Sequence, residues 1–395
     1  MSLNSTPISD RLCIGIFGKR NAGKSSLINA LTGQNLAIVS EVAGTTTDPV
    51  QKAMELLPLG PVVIIDTPGL DDEGDLGLQR VEKAYQALRK CDIALLVIDG
   101  TAGISIDDKK ILSQIKQKAL PYLIVINKSD LAEGELQPVK GEELFSISVS
   151  ALNGKNITEL KERIAALVKE PEPKLPIIAD LLAEGDLVIL VTPIDASAPK
   201  GRLILPQQQT IREILDAHAF CLVVQDSELA TALRTARQKP RIVVTDSQAF
   251  KNVAAVTPDE IPLTSFSILF ARHKGSLKTL LMGIDALDKL KDGDRLLIAE
   301  GCTHHRQCED IGTVKLPAWI TKYTGKNLNF IFCSGTEFPS DLSSYNLVIH
   351  CGGCMLNEKE MQYRMSQSAA QSIPITNYGM VIAKINGILQ RSLQF

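Results

Sequence analysis

Two groups of residues in this chain of 395 have the types and spacing that chemistry needs. Near one end, Gly18-Lys-Arg-Asn-Ala-Gly23-Lys24-Ser25 has the pattern of a phosphate-binding loop. Near the other, Cys302-Thr-His304 and His350-Cys351-Gly-Gly-Cys354 bring together five metal-type donors. Each cysteine piece follows a run that reads as a buried strand, 295–301 before Cys302 and 346–349 before His350. If those strands are parallel neighbours, all five donors meet at one edge of one sheet, where ligands of open α/β sheets usually sit.

The phosphate loop has its required context, an apolar strand over Leu12 to Phe17 and a helical pattern from Ser26 to Leu31. Backbone amides of Gly18, Asn21, Ala22, Gly23, Lys24, Ser25 and Ser26 can wrap phosphates at a positive helix end. Lys24 would reach the β/γ-phosphates and Ser25 would bind magnesium. Asp66-Thr-Pro-Gly69 adds a carboxylate that holds magnesium through water and an amide for the γ-phosphate. Asn127-Lys128-Ser-Asp130 follows a strand from Tyr122 to Ile126, and the Asp130 carboxylate can accept two hydrogen bonds that guanine offers and adenine does not. Ser150-Ala151-Leu152 would close the base pocket. Four ordered motifs point to GTP with Mg2+, and the catalytic residues read from them are Lys24, Asp66 and Gly69.

The metal candidates leave two chemistries open. Any four of Cys302, His304, His350, Cys351 and Cys354 would satisfy tetrahedral zinc. Against zinc, 45 residues and two expected elements separate His304 from His350, unlike the compact loops of zinc fingers. Three thiolates with an ill-matched fourth donor suit a 4Fe-4S cluster with one exchangeable iron, which Glu300 could also reach. Gly352 and Gly353 allow backbone to approach such a cluster, and Cys308 reads as a bystander.

The bulk numbers set bounds on the rest. The length suggests two or three domains, and 45% apolar residues supply several cores. A net charge of -3 gives no general pull toward nucleic acid or anionic lipid. The start reads as neither a secretory signal nor a membrane anchor, so the expected compartment is the cytoplasm. Eight cysteines there are not expected as disulfides, and Cys13, Cys91, Cys221 and Cys333 read as core filler.

The elements that must position these residues form an α/β chain of three domains, each an open, mostly parallel sheet flanked by helices, the first a P-loop GTPase fold. Their limits read as 1–170, 177–264 and 270–395. Three prolines between Pro171 and Pro176 mark the first seam, and a weaker one falls near Thr264 to His273. The middle stretch alternates helices over 210–218 and 227–237 with strands over 220–224 and 241–245, and it shows no catalytic cluster, so it reads as an interaction domain. Beyond it, strands are expected at 295–299, 328–333, 345–350 and 373–377, with helices at 316–323, 357–370 and 380–392.

With Gly44-Thr-Thr46-Thr-Asp48 added to its motifs, the first block resembles GTPases of the TrmE and Era type. The resemblance implies that Thr46 closes on magnesium and that Asn21 helps bind a potassium ion in place of an arginine finger. Leu70 stands where Ras-like enzymes place the water-orienting glutamine, so intrinsic hydrolysis is expected to be slow, with Asp71, Asp72 and Glu73 as candidates to position water. The whole chain, with its terminal Cys-x-His and His-Cys-x-x-Cys set, is similar to the HydF family of FeFe-hydrogenase maturation GTPases. That resemblance implies a 4Fe-4S cluster on Cys302, Cys351 and Cys354, with His304 or His350 near its exchangeable iron. It implies a homodimeric scaffold or carrier of the binuclear iron precursor, served by two radical-SAM maturases and delivering to apo FeFe-hydrogenase. Two rivals are an RNA-associated TrmE/Era-type GTPase with a terminal zinc domain, and a metallochaperone for zinc or nickel. The acidic balance and the five histidines weigh against them.

Overall fold

The computed structural model describes residues 11–33, 50–67, 75–132, 137–168, 175–194, 203–275, 277–301, 311–335, 337–354 and 356–395. The chain divides into two compact units, Met1–Glu172 and Pro173–Phe395. The expected Thr46, Gly69, Leu70, Asp71, Asp72, Glu73, Cys302, His304 and Cys308 lie outside the described residues.

In the first unit, β1 (Leu12–Phe17), α1 (Lys24–Thr32), β2 (Val50–Leu56), β3 (Gly60–Asp66), α2 (Asp75–Lys90), β4 (Ile93–Asp99), α3 (Ile106–Gln117), β5 (Tyr122–Asn127), β6 (Ser146–Ser148) and α4 (Ile157–Leu167) follow in order. Their sheet runs β2-β3-β1-β4-β5-β6, with only β2 antiparallel to its neighbour. The central strands are apolar along their whole length because helices cover both faces, and β4 and β5 are buried at almost every position. One core packs Ile14, Ile16, Leu27 and Leu160 on one face, and another packs Phe17, Leu88 and Ile111 on the opposite face. The nucleotide motifs all follow the carboxyl ends of β1, β3, β5 and β6.

The second unit holds two four-stranded parallel sheets. The first comprises β7 (Leu187–Val191), α5 (Leu205–Asp216), β8 (Phe220–Val224), α6 (Leu229–Thr235), β9 (Ile242–Thr245), α7 (Phe250–Val256) and β10 (Leu263–Ser265), in strand order β10-β9-β7-β8. After α8 (Phe266–Lys274) and α9 (Leu277–Ile284) come β11 (Arg295–Glu300), α10 (Leu316–Thr324), β12 (Asn329–Ser334), β13 (Leu347–His350), α11 (Glu358–Ala370), β14 (Ile375–Asn377) and α12 (Tyr378–Ile385). Their order is β12-β11-β13-β14, all parallel.

The stretch 264–273, which reads as a seam in the sequence, holds the end of β10 and most of α8. Phe266, Ile268, Leu269, Phe270 and Ala271 are buried there, and one core joins Ile189 and Val243 of the first sheet to Leu297 and Ile349 of the second. The expected helix over 380–392 stops at Ile385, with Asn386 as its C-cap and Gly387 in the left-handed region at φ +70°.

Candidate functional site

In the first unit the phosphate loop is shaped by Gly18 at φ +141° and Gly23 at φ +88°. A Cβ on Gly18 would lie 2.2 Å from the Val97 carbonyl oxygen, and one on Gly23 would lie 2.2 Å from Asn127 Nδ2. Both positions therefore require glycine. Lys24 is buried and donates to the carbonyls of Gly18 at 2.9 Å and Lys19 at 2.7 Å, which holds its ammonium against the loop. Asn21 is exposed at φ +61° in the same loop. Ala22 is buried beside it, and Ser26 lies in the first turn of α1.

Ser25 Oγ donates to Asp66 Oδ2 at 3.3 Å, so the two expected magnesium groups stand together at the ends of α1 and β3. Burial raises the Asp66 carboxyl above its ordinary value, and Lys24, Ser25 and Lys52 offset part of that. A divalent cation would complete the correction, which suits a metal-facing carboxylate.

The base-recognition groups form a second cluster. Asn127 Nδ2 donates to the Ala22 carbonyl at 3.0 Å while its Oδ1 accepts from the Ala151 amide at 3.0 Å. Ser150 Oγ donates to Asp130 Oδ1 at 2.5 Å, leaving the exposed Asp130 carboxylate aimed by a buried hydroxyl. Leu152 is 86% exposed, so it lies on the rim of this cluster without being packed. Lys128, at φ +64°, pairs with Asp99 Oδ2 at 2.5 Å, and Thr101 holds Asp99 Oδ1 through its amide and hydroxyl. Asp99 is a site residue that motif reading does not single out; its only signal is a carboxylate ending an apolar strand.

In the second unit, Cys351 and Cys354 follow β13, beside the strand β11 that leads to Cys302. The sulfur of the half-buried Cys351 accepts N–H groups from Gly301 at 3.0 Å and Gly353 at 3.4 Å. Burial pushes this thiol up, and those two amides oppose the shift. Amides aimed at a cysteine sulfur suit a thiolate ligand, because they offset charge on a metal-bound sulfur. Cys354 is half-buried three residues on, within the same tight loop. The donor chemistry on these residues thus fits a thiolate-held metal centre. Among the described residues, no group of three or more His, Cys, Asp or Glu side chains is gathered as a metal site.

His350 is placed otherwise than the sequence reading expects. It is fully buried, and both ring nitrogens are engaged, Nδ1 with the Cys351 carbonyl at 2.7 Å and Nε2 with Arg364 Nη1 at 2.8 Å. Burial and then the Arg364 charge push its pKa down to about 3, so the ring is neutral. Both nitrogens thus meet protein partners in this arrangement. Glu300 takes a hydrogen bond from Tyr378 Oη at 3.3 Å, and a Cβ on Gly312 would meet its carboxylate at 2.2 Å. Arg364 is the other residue the sequence hides: its spacing of four from Glu360 on α11 reads as a surface ion pair, yet both are buried.

Comparison with known proteins matches this anatomy. Residues 177–275 match the hydrogen maturase F dimerization domain, and residues 278–395 match the hydrogen maturase F tetramerization domain. The two matches together take in more than half of the chain. The chain belongs to the hydrogen maturase F family. Residues 13–128 match the 50S ribosome-binding GTPase family, so this member of the maturase F family carries a P-loop GTPase domain at its start. Among curated relatives, the GTPase Der of Wolinella succinogenes is 37% identical over 41% of this chain and 37% of its own. The tRNA modification GTPase MnmE of Aquifex aeolicus is 38% identical over 40% of this chain and 34% of its own. The chain thus spans little more than a third of the length of those relatives. A crystal structure of Aquifex aeolicus Era aligns at 24% identity over 54% of this chain and 93% of its own, with a TM-score of 0.35. No helix among the described residues is long and apolar enough to cross a membrane.

Proposed function

We propose that this chain is a GTP-hydrolysing scaffold that binds a 4Fe-4S cluster and carries the binuclear iron precursor of FeFe-hydrogenase to the apo-enzyme. The single observation that carries the reading is the Cys351 sulfur, which takes two backbone N–H groups at the carboxyl end of β13 in a member of the maturase F family. Cys302, Cys351 and Cys354 would hold the cluster, and such a cluster supplies an exchangeable iron as a docking point. His304 or His350 would stand near that iron.

At the nucleotide site Ser25, Asp66 and Thr46 would hold magnesium, Lys24 and the Gly69 amide would bind the γ-phosphate, and Asp130 would select guanine. Potassium beside Asn21 would offset transition-state charge. The middle stretch, within the limits 177–264, would supply a homodimer interface, and 270–395 the cluster. Two radical-SAM maturases and the apo-hydrogenase are the partners of this reading, in the cytoplasm and without nucleic acid.

Oxygen-free purification followed by metal analysis and EPR of the dithionite-reduced chain tests it. Three to four irons per chain with a 4Fe-4S signal is the expected result. One tightly bound zinc and no iron would reject the cluster and favour a zinc-bearing GTPase.

A further inference from the structure

Arginine can only donate, so the contact between Arg364 Nη1 and His350 Nε2 makes that ring nitrogen the acceptor. The ring proton of the neutral imidazole must then sit on Nδ1, where it is donated to the Cys351 carbonyl at 2.7 Å. His350 thereby spends both nitrogens within the protein, on the residue whose sulfur faces Gly301 and Gly353.

Arg364 is as tightly fixed as the ring it holds. Its Nε pairs with Glu360 Oε1 at 2.9 Å, its Nη2 donates to the Gly335 carbonyl at 2.5 Å, and its guanidinium lies 5.0 Å over the Phe338 ring. Arg364 and His350 are fully buried and Glu360 is 4% exposed. Burying an ion pair costs several kcal/mol of hydration per ion before attraction offsets it, so such a network needs a reason beyond stability. The reason lies in what it joins. Gly335 follows β12 and His350 ends β13, the two strands that flank β11. One guanidinium thus locks together the loops on either side of the strand leading to Cys302. Glu360 holds the guanidinium through Nε while Nη1 meets His350, so the cationic group is bonded to the residue that precedes Cys351. A second buried cation, Lys274 of α8, donates to the carbonyls of Cys354 at 3.4 Å and Leu356 at 3.2 Å, gripping the same loop from another element.

We propose that His350 and Arg364 form a positioning relay for Cys351 and stand outside the ligand set of the metal centre, an inference that rests on the cluster reading above. The relay fixes the backbone of the cysteine loop so that its amides meet the sulfur, and it places positive charge where an added electron would be stabilised.

The test uses the full chain, reconstituted without oxygen, with three measurements: iron loss to a chelator, the cluster's midpoint potential by EPR-monitored titration, and melting of the apo-protein. Arg364→Gln and His350→Gln should each release iron about tenfold faster than the unchanged chain, as loss of an outer-shell partner typically does. The double variant should be no faster than the quicker single one, because the two residues act in series. Arg364→Lys, which keeps the charge and loses the fork, should hold the potential nearer the original value than Arg364→Gln does. Should Arg364→Gln fail to fold, Arg364→Met with Glu360→Met removes both charges together, and it too should release iron faster. Additive losses, an unchanged potential and iron release, or an altered EPR signal in His350→Gln alone would overturn the relay. An unchanged chain that takes up no iron would overturn the cluster reading and the relay with it.

Discussion

The side chain of Asn127 bridges to Ala22 across 105 positions of sequence, its Nδ2 donating to the Ala22 carbonyl at 3.0 Å while Oδ1 receives the Ala151 amide. One carboxamide, 2% exposed, therefore ties the phosphate loop to both base-recognition loops. Asn127→Ala takes this partner from the buried Ala22 carbonyl and the half-buried Ala151 amide and should destabilise the folded chain by about 1–3 kcal/mol. Thermal melting of the variant, together with its affinity for a fluorescent GDP analogue, checks this. Unchanged affinity would show that the bridge does not organise the pocket.

Gly18 leaves no room for a side chain against the Val97 carbonyl. Gly18→Ala should add backbone strain of about 1–3 kcal/mol where φ is +141°. Expressed in the pocket, that is about a tenfold loss of nucleotide affinity, measurable by calorimetry.

Lys24→Ala should abolish GTP turnover while leaving the EPR signal of the iron-loaded chain intact, because Lys24 and Cys351 belong to separate compact units. Phosphate release and EPR on one preparation decide it. Loss of both together would contradict the division of labour.

Acid should weaken the nucleotide site through Asp99. Burial tends to raise its carboxyl, but hydrogen bonds from Lys128 and Thr101 outweigh that and hold it below the ordinary carboxylate range. A depressed folded value means its contribution is present above the unfolded pKa of about 3.9 and fades as pH falls through the lower folded value. Between neutral pH and about pH 5 this group should therefore add no pH dependence. Asp99→Asn should flatten the acid side of the melting-temperature profile below about pH 4.

The edge strand β8 exposes Phe220 at 62%, Leu222 at 37% and Val223 at 38%. A bare apolar edge invites pairing with another chain, and this strand lies in the segment matching a dimerization domain. Leu222→Lys should shift the oligomer toward smaller species in light scattering. An unchanged mass would place self-association elsewhere.

Much of this was legible in the chain. Loop motifs carry their own geometry: Gly18 and Gly23 announce positive φ, and the strands before Asp66 and Asn127 are apolar throughout because both faces are covered. The parallel pairing of β11 with β13, which the sequence reading set as a condition, is present in the structure. Less legible was the packing of 264–273, where Ile268 and Ala271 of α8 join a core shared by both sheets, a contact with no local pattern.

Sequence alone determined the parallel α/β architecture, the phosphate loop and the cysteine spacing, because these depend on local periodicity and on residues no other type can replace. It could not determine the hydrogen-bond partners of His350 or the burial of Arg364. A histidine beside two cysteines is a ligand by composition. Only the tertiary structure brings the guanidinium of Arg364, on α11, to its second nitrogen. Hydrogen-bond partners fourteen residues apart on different elements leave no periodic trace, so that assignment belongs to the tertiary structure.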